Sequence, residues 1–133
     1  MTEPVTIFVV EDNPADVFLV RQALQQEQLN FQLFLAEDGD TALSLLDRVG
    51  KGVPTPDVLL LDLNLPGVDG HELFQRVRQH PLCKDVPIVV FTSSDSPRDR
   101  AWTSDFQISH YFRKPSDYDE FMKLGEIIRS LVG

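Results

Sequence analysis

The chain has 133 residues, 42% hydrophobic and 25% charged, which fits one globular domain able to bury roughly two-thirds of its unfolded surface without a metal or disulfide staple. Twelve basic against 21 acidic side chains give a net charge of −9, which argues against binding nucleic acid or an anionic lipid surface, because both require a basic face. The single cysteine, Cys83, excludes an internal disulfide and a thiolate metal cluster; no signal-like leader and no apolar run near the ~18 residues of a membrane span are present, so the expected location is cytoplasmic.

The first predicted strand is the short β-branched run over residues 5–10, which reads as buried on both faces. Asn13-Pro14 is a helix start, with Asn as cap and Pro at the first helical position, and Val17, Val20 and Leu24 follow at helical spacing. Residues 31–35 form the second strand, and Asp38-Gly39-Asp40 opens a helix carrying Ala42, Leu43, Leu46 and Val49. The stretch Gly50-Lys51-Gly52-Val53-Pro54-Thr55-Pro56 is a long loop. A third strand spans 58–62, and a third helix runs from about Asp69 to Gln79 with Leu73, Phe74 and Val77 inward. The fourth strand covers 88–92, Ser96-Pro97 starts a helix that carries Trp102 and ends near Phe106, residues 111–113 make a fifth strand, and 117–131 make the last helix.

Strict alternation of five strands with five helices predicts an α/β fold with parallel βαβ units and right-handed crossovers. The economical arrangement is a single doubly wound sheet of order 2-1-3-4-5, flavodoxin-like, whose ligands bind at the carboxyl ends of the strands. Glu11-Asp12, Asp62, Thr92 and Lys114 each follow or close a predicted strand, so this topology gathers them at one edge.

Three crowded carboxylates repel one another unless a cation is present, and an all-oxygen set suits a hard divalent ion. Mg²⁺ is expected because it uses few carboxylates and keeps water and phosphate oxygens. Asp12 and Asp62 are the expected direct ligands, Glu11 acts through water, and the backbone carbonyl of Asn64 can add an oxygen. A carboxylate beside such an ion can attack phosphorus. Lys114 supplies a second cation on the opposite side, and the Thr92 hydroxyl can donate to a phosphoryl oxygen.

The pair Glu11-Asp12, the segment Leu61-Asp62-Leu63-Asn64-Leu65-Pro66-Gly67, the strand end Thr92-Ser93-Ser94 and Lys114-Pro115 resemble the receiver domain of two-component response regulators, over the chain from Thr6 to about Leu131. The resemblance implies Asp62 as phosphoacceptor, Glu11 and Asp12 as metal-binding acids, Thr92 as switch hydroxyl, Lys114 as phosphoryl-sensing cation and Tyr111 as switch aromatic. It also implies a cis bond before Pro115. Asn13-Pro14-Ala15-Asp16, the loop over 50–57 and the segment Phe91-Thr92-Ser93-Ser94-Asp95-Ser96-Pro97-Arg98-Asp99 resemble the small regulators paired with cyanobacterial and bacterial phytochromes.

The expectation is therefore one receiver domain over residues 1–133 without an output domain, a signalling phosphoprotein of a phosphorelay rather than an enzyme. Its expected partners are a histidine kinase of the phytochrome type, docking beside helix one where Phe18 lies outside the apolar stripe, and a second copy of itself. The homodimer is expected through helix four, strand five and helix five, because the last helix carries a wider apolar arc than one buried stripe needs. A haloacid-dehalogenase-like phosphatase is the alternative, but its general acid would fall at Asn64, which cannot protonate a leaving group. A flavin module would need a phosphate loop after strand one, where Glu11-Asp12-Asn13-Pro14 would repel phosphate, and an inert receiver would lack the acids. His71, His80 and His110 have no metal-ligand spacing; Trp102 and Phe106 either pack helix four down or face a partner.

Overall fold

The computed structural model describes residues 3–67 and 69–132. Strands β1 (Val5–Val10), β2 (Phe31–Ala36), β3 (Val58–Leu61), β4 (Ile88–Thr92) and β5 (His110–Arg113) alternate with helices α1 (Pro14–Gln26), α2 (Gly39–Asp47), α3 (Gly70–Gln79), α4 (Pro97–Ser104) and α5 (Tyr118–Val132). All strand pairs are parallel and the order is β2-β1-β3-β4-β5, as the alternation predicts.

The sheet is buried on both faces because its apolar side chains alternate. Phe8, Val10, Leu59, Leu61, Ile88 and Val90 point into the layer closed by α2 and α3. Ile7, Val9, Val58, Leu60, Val89 and Phe91 point into the layer closed by α1 and α5. Helix starts are set locally: side-chain oxygens of Asn13, Asp38, Asp69 and Ser96 accept from the backbone N–H groups of Ala15, Thr41, His71 and Asp99, satisfying donors a first helical turn leaves open. Helix α4 ends at Ser104, two residues before Phe106; Phe106 then packs on Phe74, with ring centroids 5.6 Å apart. Trp102 and Phe106 thus hold α4 against the core.

Helix α5 departs from expectation. Phe121, Met122, Leu124 and Ile128 are buried, and Ile127, Leu131 and Val132 pack on the same cluster, so the wide apolar arc is used inside the domain. The reason is geometric, because α5 touches both the sheet and α1 and therefore needs two apolar stripes. At the α1–α5 crossing the backbones meet closely: a Cβ on Gly125 would stand 2.3 Å from the Ala23 carbonyl oxygen. Only glycine fits there.

Register then places the site. Val10 pairs with Leu61, Leu61 with Val90, and Thr92 with Arg113, so Glu11, Asp62, Thr92 and Lys114 step along one edge of the sheet. The backbone ladder continues past the strands, with Asp62 N–H donating to the Val10 carbonyl at 3.1 Å and Lys114 N–H to the Thr92 carbonyl at 2.7 Å. The Lys114-Pro115 bond is trans, correcting the expected cis form, since there are no cis peptides among the described residues. Trans is the lower-energy isomer by about 0.5–1 kcal/mol, and the lysine reaches its partners without the alternative.

Gly125→Ala is expected to destabilise the fold by about 1–3 kcal/mol, because a clash with backbone cannot be relieved by a side-chain rotation. Urea unfolding monitored by circular dichroism checks this; an unchanged midpoint would contradict the close crossing.

Candidate functional site

The strand edge concentrates three carboxylates around one ammonium. Lys114 Nζ lies 2.5 Å from Glu11 Oε1, 2.9 Å from Asp16 Oδ2 and 3.1 Å from Asp62 Oδ2, and it stands over the Phe91 ring, 4.7 Å from its centre. Glu11 and Asp62 are buried at 1% and 5% exposure, whereas Asp12 faces solvent. With Glu11, Asp12, Asp16 and Asp62 ionised, the cluster carries four negative charges against one positive, a surplus of three. Lys114 stands among the acids rather than opposite them, as expected earlier, because a single ammonium relieves the repulsion best from their centre.

Each carboxylate is oriented by local structure. Glu11 Oε2 accepts from the Asn13 N–H at 3.1 Å, and Asp62 Oδ1 accepts from the Asn64 N–H at 3.1 Å. Glu11 Oε1 is buried and has the Lys114 ammonium as its ionic partner. Burial drives the Glu11 carboxyl up to about 7; Lys114 and the Asn13 N–H oppose the rise and the Asp62 charge adds to it. Burial would also lower the Lys114 pKa, but its contacts with Glu11 and Asp16 and the charges of Asp62 and Glu11 outweigh this and hold it above the usual lysine range.

Glu11, Asp12 and Asp62 each offer a carboxylate oxygen within 4.8 Å of the others. An all-oxygen set in a net negative field fits a hard divalent cation. Asn64 lies beside this set: its backbone N–H bonds Asp62, and its side-chain amide donates to Thr92 Oγ1 at 3.4 Å. Thr92 is fully buried, and its hydroxyl oxygen also accepts from the Ser94 N–H at 3.2 Å, leaving its proton free to donate elsewhere. Tyr111 is half-buried; its hydroxyl donates to the Ser94 carbonyl at 2.8 Å, and the Arg100 guanidinium sits 4.2 Å from its ring centre. A cleft of about 500 Å³, lined by Ser93, Arg113, Lys114, Pro115, Ser116 and Asp117, opens on the same edge.

The predicted residues Glu11, Asp12, Asp62, Asn64, Thr92 and Lys114 therefore come together, with Tyr111 one hydrogen-bonded step away through Ser94. Asp16 was missed as a partner of Lys114. Its signal was an acid four residues after Asp12, in the first turn of α1, a place where acids are common for the helix dipole alone.

The raised Glu11 pKa has two consequences. An acid with a folded-state pKa above its unfolded value stabilises the fold at low pH, and that contribution is lost as pH rises through about 7. A divalent cation binds the ionised form, so cation affinity should rise about tenfold from pH 6 to pH 8, with a proton released on binding below pH 7. Titration calorimetry in buffers of different ionisation enthalpy measures both; a pH-independent affinity would exclude Glu11 from the cation site.

The family model described as "Response regulator receiver domain" matches residues 7–125. Response regulator Rcp1 of Synechocystis is 33% identical over 129 residues, 96% of this chain and 88% of that protein. The crystal structure of the phosphorylated cyanobacterial phytochrome response regulator RcpA superimposes with a TM-score of 0.87 at 30% identity, covering 98% of this chain and 94% of that one. The Mn²⁺-bound form of Rcp1 superimposes with a TM-score of 0.84 at 32% identity, covering 96% and 93%. The chain that gathers these carboxylates around Lys114 belongs to the response regulator receiver family.

Proposed function

We propose that Asp62 accepts a phosphoryl group from the phosphohistidine of a sensor kinase, in a step that requires Mg²⁺. A carboxylate oxygen of Asp62 attacks phosphorus, the phosphorus–nitrogen bond of the donor breaks, and the imidazole leaves as the acyl phosphate forms. The observation that carries this reading is a carboxylate at the end of a buried strand, 5% exposed, paired to Lys114 and within reach of two further acids. Burial of such a charge is costly unless its chemistry is needed. When bound, Mg²⁺ supplies positive charge to the transferring oxygens. Glu11, Asp12, Asp62 and the Asn64 carbonyl would hold it. Lys114 follows the new negative charge, and the Thr92 hydroxyl donates its free proton to a phosphoryl oxygen. Tyr111, tied to Ser94, carries the change to the surface near β5.

The protein is on this reading a cytoplasmic switch rather than an enzyme, with no part for nucleic acid. The net charge of −9 supports this, and no helix among the described residues is long and apolar enough to cross a membrane. The phosphatase alternative gains no support, since the Asn64 side chain is an amide, which is not acidic enough to protonate a leaving group. The kinase is of the phytochrome type, as the name of RcpA suggests. It docks on α1, where Phe18 is 59% exposed and Leu19 lines a groove of about 250 Å³ with Pro115, Tyr118 and Phe121. The homodimer uses α4, β5 and α5. What supports it is charge rather than apolar surface: Arg100 and Arg113 stand exposed on α4 and β5, and Asp119, Glu120 and Glu126 on α5. A two-fold axis would set one group against the other.

With a small phosphoryl donor and Mg²⁺, intact mass should rise by one phosphoryl group; chelator or Asp62→Asn should prevent it, and a fully modified Asp62→Asn protein would remove the assignment. Phosphotransfer from several purified kinases should favour a phytochrome; preference for an unrelated kinase over every phytochrome would withdraw the partner and leave the switch. Sedimentation equilibrium should show a dimer weakened by Arg113→Glu. A concentration-independent monomer, phosphorylated or not, would exclude it.

A further inference from the structure

Ser94 uses every polar group it has. Its N–H donates to Thr92 Oγ1 at 3.2 Å, its carbonyl accepts from Tyr111 at 2.8 Å, and its hydroxyl donates to Asp99 Oδ2 at 2.6 Å. The last bond leads away from the Tyr111 path. Asp99, in the first turn of α4, accepts the Trp102 indole N–H on its other oxygen at 3.1 Å. The Trp102 ring lies 3.9 Å from the His71 imidazole, nearly parallel to it, at the start of α3. A continuous line of directed contacts therefore runs from Thr92 through Ser94, Asp99 and Trp102 to the seam between α3 and α4.

We infer that Asp99 is a positioning residue that couples phosphorylation at Asp62 to the α3–α4 seam. The inference rests on the phosphoacceptor reading above. Donation of the Thr92 hydroxyl to a phosphoryl group moves the oxygen that the Ser94 N–H is bonded to. Ser94 must then follow it or lose that bond. Following it displaces Asp99, because the Ser94 hydroxyl is held at short distance by one carboxylate oxygen. The other oxygen grips Trp102, so the indole moves relative to His71. Both polar atoms of the side-chain end are needed, which explains why a forked polar side chain stands at this position rather than a simple helix former. The coupling is transmitted by a packed, hydrogen-bonded chain with a discrete alternative, the form such coupling takes in proteins.

Trp102 is the only tryptophan, so its fluorescence reads this seam directly. The full chain is treated with phosphoramidate and Mg²⁺, with phosphoryl incorporation followed by intact mass and Trp102 emission recorded on the same samples. Expected in the wild type is an emission change that grows in proportion to the mass increase. Asp99→Ala should take up phosphate yet lose most of the emission change per phosphoryl group. Asp99→Asn, whose amide can still bond both Ser94 and Trp102, should keep at least half of it. Should Asp99→Ala fail to fold, Ser94→Ala cuts the same line one bond earlier and should lose the response equally. Incorporation in the wild type without an emission change would overturn the coupling, as would an undiminished response in the alanine variants. No incorporation at all would overturn the phosphoacceptor reading, and the coupling with it.

Discussion

Parallel pairing governs everything else in this molecule. Strands that run the same way finish at the same edge, and each crossover returns the chain to the opposite edge before the next strand begins. Polar residues separated by about a hundred positions in sequence, Glu11 and Lys114, are thereby brought to 2.5 Å. The apolar interior of the sheet also dictates the dielectric setting of that edge. Residues one step beyond a fully buried strand inherit its poor solvation, which is why Glu11 and Asp62 are charged groups in a place where charge is expensive.

The result is a deliberate local imbalance. One ammonium pairs with three carboxylates while a fourth, Asp12, stands beside two of them, so the cluster is held together and held short of neutrality at the same time. Replacing any of these acids with a neutral isostere would relax the fold locally, which is the expected signature of residues kept for chemistry rather than stability. Lys114 has two duties here. It limits the repulsion when no other cation is near, and its contact with Asp62 Oδ2 keeps it beside the place where a phosphoryl group would bring new charge.

Much of this was legible in the chain. The strands were readable because residues such as Val58 to Leu61 are continuously apolar, a pattern that parallel sheets require, and helix starts were readable because Asn13 with Pro14 and Ser96 with Pro97 are local signals that need no tertiary partner. Glu11, Asp62, Thr92 and Lys114 could be grouped because strand ends are defined by the strands. Asp16 could not, since its pairing with Lys114 depends on how α1 lies over the sheet. The apolar arc of α5 was misread as surface because sequence periodicity counts apolar positions but not how many neighbours a helix has; α1 supplies the second one. The Ser94–Asp99 bond was invisible for a related reason. Serine and aspartate near a helix start are ordinary capping residues, and only their actual partners reveal another use.

Arg78 gives α4 a mechanical character. From the last turn of α3 its guanidinium donates to the carbonyls of Cys83, Lys84 and Val86 before β4, and to those of Phe106 and Gln107 just after α4. Five backbone carbonyls gathered on one rigid planar fork make a fixed point. The exit of α4 is thus riveted to the frame of the domain, while its entrance hangs from the loop that leaves Thr92. A rod clamped at one end and tugged at the other can only tilt. The first turn of α4, from Pro97 to Arg100, would sweep furthest and Phe106 would hardly stir, so the helix is built as a pointer whose pivot lies at the far end from the site it reads.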